Sequence, residues 1–244
     1  MDFEDYYRRN AAAHGGATAP STVAQSGQLP ARPSGPDWAV LWAWEGRSRR
    51  RADAAVLDIG CAQLTVLKSL EGQFARRVGV DVAAYEEWRS YPTIETSVFN
   101  LDQGELPFAP DTFDFVTMLM VLEHVFDPFH AVRELRRVAR PDATVVLHVP
   151  NIAGLRHRVA LARGQLPVTS SRAAFEEDAW DGQHIHQFTR ASLTWLLVRE
   201  GLEPLQWAVT GRFALARSLW PSLLGSDLVV RCRPAPPRAL AGRF

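Results

Sequence analysis

Two sets of residues have types and spacings that could do chemistry. The first begins with Asp58 and Gly60 in VLDIGCAQLTVLKSL (56–70) and continues to Asp81, which ends RRVGVD (76–81) about twenty residues later. Glycine takes backbone angles closed to other residues, so Gly60 lets the chain pass close beneath a ligand. An acidic side chain at the Asp81 spacing accepts hydrogen bonds from the vicinal hydroxyls of a ribose. A tight turn beside an exposed aspartate would leave the same trace. The full G-x-G-x-x-G pattern is absent, because Ala62 and Leu64 follow Gly60 and Cys61. Close approach of a pyrophosphate is therefore not provided for, and a dinucleotide is disfavoured. A nucleoside carrying no phosphate needs less glycine.

The second set is histidine. His124 follows DTFDFVTMLMVL (111–122), while His184 and His186 form an i, i+2 pair before a helical pattern. Imidazole titrates near neutral pH, which suits a general base. His124 is either such a base or a helix-start residue bonded to backbone. His184 and His186 would share one face of an extended segment. They are either bases or loop-packing groups. As a metal pair they lack an obvious third ligand, so no metal is expected.

The elements that must position these residues alternate. AVLDIG (55–60) is a short, nearly all-apolar run, as expected of a strand covered on both faces. A helix follows over 63–70, then a strand (76–81), a helix in AAYEEWRS, and strands over 93–99 and 111–122. Asp127 is a good N-cap and Pro128 suits the first helical position. Val132, Leu135 and Val138 give that helix a buried stripe. ATVVLHVP (143–150) is a fifth strand. This rhythm specifies an α/β fold with a mostly parallel, doubly wound sheet. Thr189 and Gly201 bracket a late helix as N-cap and C′. LEPLQWAVTG (202–211) and DLVVRCRP (227–234) read as closing strands.

Residues 11–36 are rich in Ala, Gly, Pro and Ser, so 1–36 reads as a flexible segment that either acts as a lid or frays. DWAVLWAWEGRSRRR (37–51) reads as a helix, and residues 235–244 as a loose tail. The main domain spans 37–234. Formal net charge is zero, from 27 basic and 27 acidic residues, so no global field favours nucleic acid or an anionic membrane. The longest apolar runs are too short to span a bilayer. The first residues, MDFEDYYRRN, lack the apolar core of a secretory signal. Cys61 and Cys232 fit no metal spacing or disulfide framework, which agrees with a reducing cytoplasm.

VLDIGC, VGVD and LDQGELPFAPDTFDFVTMLMVLEHVFDPFHAVRELRRVARPDATVVLHVPN, with the later HIHQFTRASLTWLLVREGLEP, resemble the class I S-adenosylmethionine-dependent methyltransferases. The resemblance runs in order over 55–210 and is nearest to the small-molecule branch with ubiquinone-type and glycan-linked enzymes. It implies a Rossmann-like sheet of seven strands, the last antiparallel. It implies that Asp58 and Gly60, in the turn with Cys61 and Ala62, approach the methionine portion of the cofactor. Asp81 would hold the ribose hydroxyls and Val82 would flank the adenine. Leu101 and Asp102 match the adenine-holding segment, with Asp102 facing the exocyclic amine. Met118, Leu119 and Met120 would end strand four beside the methionine portion, with Glu123 and His124 at the reaction rim.

The family usually reads G-C-G-x-G at the turn. The methyl of Ala62 is tolerable at negative φ. Leu64 either turns into the helix–sheet contact or narrows the pocket, and a left-handed leucine costs about 1–2 kcal/mol. The usual Pro-Gly-Gly before strand five is Pro141-Asp142-Ala143, a turn that aspartate can also make. The expected activity is methyl transfer to a small-molecule, glycan or lipid-linked acceptor, with oxygen as the first choice and His124, His184 and His186 as candidate bases. Segments 151–188 and 211–226, with Phe175, Trp180, Phe188, Phe213 and Trp220, either cap the acceptor or pack the core. No nucleic-acid module is evident, and a homodimer is compatible with the chain. The competing reading is a non-catalytic scaffold whose cofactor loop is weakened by Leu64. A nicotinamide-dependent reductase is disfavoured by the incomplete glycine pattern.

Overall fold

The computed structural model describes residues 52–169, 184–209 and 220–238. The N-terminal segment, the helix expected over 37–51, and Phe175, Trp180 and Phe213 lie outside them. Seven strands form one sheet in the order β3-β2-β1-β4-β5-β7-β6. They are β1 (Ala55–Ile59), β2 (Arg76–Asp81), β3 (Glu95–Val98), β4 (Phe113–Leu119), β5 (Ala139–Pro150), β6 (Leu202–Ala208) and β7 (Asp227–Pro234). β1 pairs in parallel with both β2 and β4, and β4 with β5. β7 runs antiparallel to its neighbours β5 and β6. Every residue of β1 is buried, which explains its lack of polar alternation.

The α-helices among the described residues are α1 (Thr65–Ser69), α2 (Pro128–Val138), α3 (Leu155–Ala162), α4 (Arg190–Arg199) and α5 (Pro221–Leu224). α2 starts as its sequence specifies. The Asp127 carboxylate accepts from the amides of Phe129 and His130, both at 2.9 Å, and Pro128 occupies the first turn. Val132, Leu135 and Val138 are fully buried against the sheet. α4 opens with a reciprocal cap between Thr189 and Ser192. Gly201 ends it at φ 87°, where a Cβ would stand 2.8 Å from the Ala235 carbonyl oxygen.

Some expectations need correction. AAYEEWRS forms a 3-10 helix over Glu86–Ser90 rather than an α-helix, with no side-chain cap at Tyr85. Pro141-Asp142-Ala143 is not a turn before β5. The strand already begins at Ala139, and these residues lie in the register irregularity between the pairs Phe113–Ala139 and Phe115–Thr144. Residues 235–238 of the expected loose tail are docked, since Ala235 N–H donates to Gly201 and Arg238 N–H to Val198. Phe188 belongs to the core, and Trp220 is 61% exposed. Among the described residues no helix is long and apolar enough to cross a membrane. Cys61 and Cys232 are buried free thiols.

Candidate active site

The site begins where β1 ends. Gly60 sits at φ 77°, and a Cβ there would overlap Val121 Cγ2, so the position requires glycine twice over. The next residues depart from expectation. Ala62 adopts φ 38°, not a negative angle, and Leu64 adopts φ 61°. Two hydrogen bonds hold the Ala62 peptide groups in this conformation. Its N–H donates to Asp81 Oδ2 at 2.9 Å, and its carbonyl accepts from Trp88 Nε1 at 2.8 Å. Leu64 is left-handed, yet its side chain is 0% exposed and packs in the core cluster with Val56, Val66, Leu67 and Leu70. The leucine therefore strains the turn without entering the cleft.

That cleft lies at the carboxyl edge of the sheet beside β1, β2 and β4, where open α/β sheets bind ligands. It holds about 910 Å³ of empty space, part of it open to solvent. Of the residues singled out in the sequence, Gly60, Ala62, Asp81, Val82, Leu101, Leu119, Met120 and His124 line it. Tyr85, Phe99, Asn100, Leu106 and Val125 line it as well and were missed. The spacing of Asn100 beside the expected Leu101 was the one available signal. Burial, with Asp81 and Cys61 nearby, pushes the Tyr85 phenol well up, so it stays protonated. Burial likewise pushes up the Cys61 thiol, which is no nucleophile.

Four expected cofactor residues do not line the cleft. Asp58 is buried in the sheet, where Thr117 Oγ1 donates to it at 2.6 Å. Cys61 packs into the core behind the turn, and Met118 is fully buried in the main core. The Asp102 carboxylate accepts from the amides of Phe126 (2.9 Å) and Asp127 (3.1 Å), which ties its loop to the segment after β4 rather than to the cleft. A second tie fixes Leu106, one wall of the cleft. Its amide donates to Glu134 Oε2 at 2.6 Å, and its carbonyl accepts from Arg137 at 2.9 Å. Arg137 also bonds Glu134 at 2.7 Å.

The histidine end of the cleft is assembled from two distant segments. Met120 takes φ 57° as β4 ends. Its N–H donates to the His148 carbonyl at 2.8 Å. Beyond it, the Glu123 carbonyl accepts from the amides of Ile185 (3.0 Å) and His186 (3.1 Å), which docks the 184–188 segment. His124 is 6% exposed, and its ring centroid lies 4.8 Å from that of His184. His184 Nδ1 is 2.7 Å from Thr169 Oγ1. His186 stands apart, with Nε2 3.3 Å from the Phe126 carbonyl, and does not line the cleft. Glu123 is fully buried, and both carboxylate oxygens are without a hydrogen-bond partner among the described residues. Burial pushes its pKa up to about 8, reinforced by the nearby Asp227.

Comparison with known proteins places this geometry. Residues 40–206 match the family model described as a methyltransferase domain, Methyltransf_23. The ubiquinone biosynthesis O-methyltransferase of Pseudomonas aeruginosa is 29% identical over 115 residues, 44% of this chain and 49% of that protein. The chain thus spans about half the length of that relative. A solved complex of the Haloferax volcanii Trm112 methyltransferase activator and a methyltransferase is similar in fold, with TM-score 0.56, 16% identity, and coverage of 82% of this chain and 98% of that one. The 1,6-didemethyltoxoflavin-N1-methyltransferase of Burkholderia thailandensis, solved with 1,6-didemethyltoxoflavin and S-adenosylhomocysteine, has TM-score 0.54 and 16% identity. That match covers 81% of this chain and 78% of the other. With its cleft at the expected sheet edge and most of its length matched, the chain belongs to the methyltransferase domain family of class I S-adenosylmethionine-dependent methyltransferases.

Proposed function

We propose that the protein transfers a methyl group from S-adenosylmethionine to a hydroxyl oxygen of a small-molecule or lipid-linked acceptor. One observation carries the reading: a single cleft is lined by Asp81 at one end and His124 at the other. The residues present fit the cofactor. A carboxylate has about four lone-pair sites, so Asp81 can accept from a ribose diol besides the two amides it already holds. Val82, Phe99 and Leu101 offer an apolar face to a purine. Bound there, the cofactor supplies a methyl group already activated as a sulfonium. The chain's own task is alignment, exclusion of water by Leu106, Leu119 and Val125, and removal of the acceptor's proton. His124 is the group on the cleft wall that promotes loss of that proton.

The partial match to a ubiquinone O-methyltransferase supports oxygen as the acceptor atom and a ring-bearing small molecule as the acceptor. The formal net charge of zero favours such a substrate over nucleic acid. The scaffold alternative rested on Leu64 plugging the cleft, and that side chain packs in the core. Release of S-adenosylhomocysteine with a panel of phenolic and catecholic acceptors tests the reading. His124→Ala should lower kcat by about 10²-fold or more while product affinity stays within about threefold. Unchanged turnover would remove His124 from the reaction, and failure of every hydroxylated acceptor would return the scaffold reading.

A further inference from the structure

We propose that Glu123, His124 and His184 form a binding site for one divalent transition-metal ion at the acceptor end of the cleft. One ligand atom from each lies within 4.8 Å of the other two. Two imidazoles and a carboxylate are a donor set for borderline ions such as Zn²⁺, and three protein ligands leave coordination positions open for a substrate.

Three further observations point to an ion. Glu123 is fully buried with neither carboxylate oxygen hydrogen-bonded among the described residues, an arrangement that is costly without a cation. The Glu123 carbonyl bonds two amides of the 185–186 segment, which fixes His184 against its partners from the far side of the sequence. The Thr169 hydroxyl, 2.7 Å from His184 Nδ1, orients that ring as outer-shell hydrogen bonds orient metal-ligating histidines. Ligand atoms around a tetrahedral ion with bonds of about 2.1 Å stand about 3.4 Å apart. Loading therefore draws the trio together by roughly 1.5 Å at most, within the reach of side-chain rotation.

The inference rests on the methyl-transfer reading for its purpose and deepens it. His124 lines the cleft, so an open position on the ion faces the acceptor. The acceptor hydroxyl oxygen bonds the ion and its proton leaves to water, because a coordinated oxygen is far more acidic than a free one. The oxygen's electron pair then forms the bond to the methyl carbon while the carbon–sulfur bond breaks and its pair stays on sulfur. His124 thus promotes deprotonation as a ligand of the ion rather than by taking the proton itself. An acceptor with two neighbouring oxygens, such as a catechol, fits the two open positions of the ion once it expands to five-coordinate.

The test uses full-length protein stripped with chelator and titrated with Co²⁺ alone, followed by visible absorption. One equivalent should bind with the d–d bands of a four- or five-coordinate site, and Zn²⁺ should displace it. Glu123→Gln and His184→Ala should each weaken binding at least tenfold. His186→Ala, the neighbouring imidazole outside the trio, should leave metal affinity unchanged. No stoichiometric Co²⁺ binding, equal affinity in Glu123→Gln, or loss in His186→Ala instead of His184→Ala would overturn the site. S-adenosylhomocysteine affinity, measured on the same stripped samples, checks that each variant is folded. Cofactor binding without metal binding defeats this inference alone, whereas absence of cofactor binding in the unaltered protein defeats the methyl-transfer reading.

Discussion

The two ends of the cleft are built differently. At the β2 end, the Asp81 carboxylate, the Ala62 peptide and the Trp88 indole close a set of mutual hydrogen bonds, so the pocket wall is assembled before any ligand arrives. At the β4 end, Met120 is strained, Glu123 is buried with both oxygens unpartnered among the described residues, and His124 faces a histidine sixty residues later in the chain. Backbone strain is present at both ends, in Ala62 and Leu64 as in Met120, whereas buried polarity left uncompensated distinguishes the β4 end. The β2 end is thus satisfied by the fold, whereas on the proposed reading the β4 end is completed by what binds it.

Variants can break this contrast. The largest effect is expected at Glu134, which fixes the Leu106 wall shared by both ends. Glu134→Ala should cost about 3–5 kcal/mol in urea unfolding, since Arg137 and the Leu106 amide lose their carboxylate together. Burial alone would push the Glu134 pKa up, but the Arg137 and Leu106 hydrogen bonds outweigh it and hold it below the usual range. Its stabilisation is therefore present above the ordinary glutamate pKa of about 4.3 and is lost as pH falls through the lower folded value. The wild type should lose stability on that acid limb more steeply than Glu134→Ala. Parallel acid profiles would refute the assignment.

Leu64→Gly comes next. Truncating a buried leucine costs about 2–5 kcal/mol, and relief of a left-handed leucine returns about 1–2 kcal/mol, so thermal unfolding should show a modest net loss. S-adenosylhomocysteine affinity should stay within about twofold. Tighter binding by fivefold or more would place the side chain in the cleft after all. Ala62→Gly carries the smallest change. Relief of its positive φ, less the added freedom of the unfolded chain, should stabilise by about 0.5 kcal/mol in the same melts. A loss of stability there would mean that the turn is not strained.

The same contrast explains what could be read from the sequence. Gly60 and Leu101 follow the ends of β1 and β3 and Asp81 ends β2, so the β2 end of the cleft was legible from periodicity and the motif resemblance together. The α2 boundaries were legible because Asp127 and Pro128 act locally. Side-chain direction was not. Asp58, Cys61 and Met118 sit in the expected segment but point into the sheet, and Asp102 turns to two amides that lie 24 and 25 residues further on. Likewise, nothing in the spacing of His184 and His186 shows that the first of them meets Glu123 and His124, because that pairing depends on how the 184–188 segment docks. Ala62 shows the limit of a local rule. Its φ is set by partners on β2 and in the 3-10 helix, not by its own preference.

The central claim is that the carboxylate at the tip of β2 holds the sugar of the methyl donor. Calorimetric titration of S-adenosylhomocysteine into wild-type protein and Asp81→Ala measures it most directly. Wild type should bind one equivalent, and the variant should lose about 1–3 kcal/mol, roughly five- to 150-fold in Kd, while remaining folded. Equal affinity in the two proteins would contradict the account.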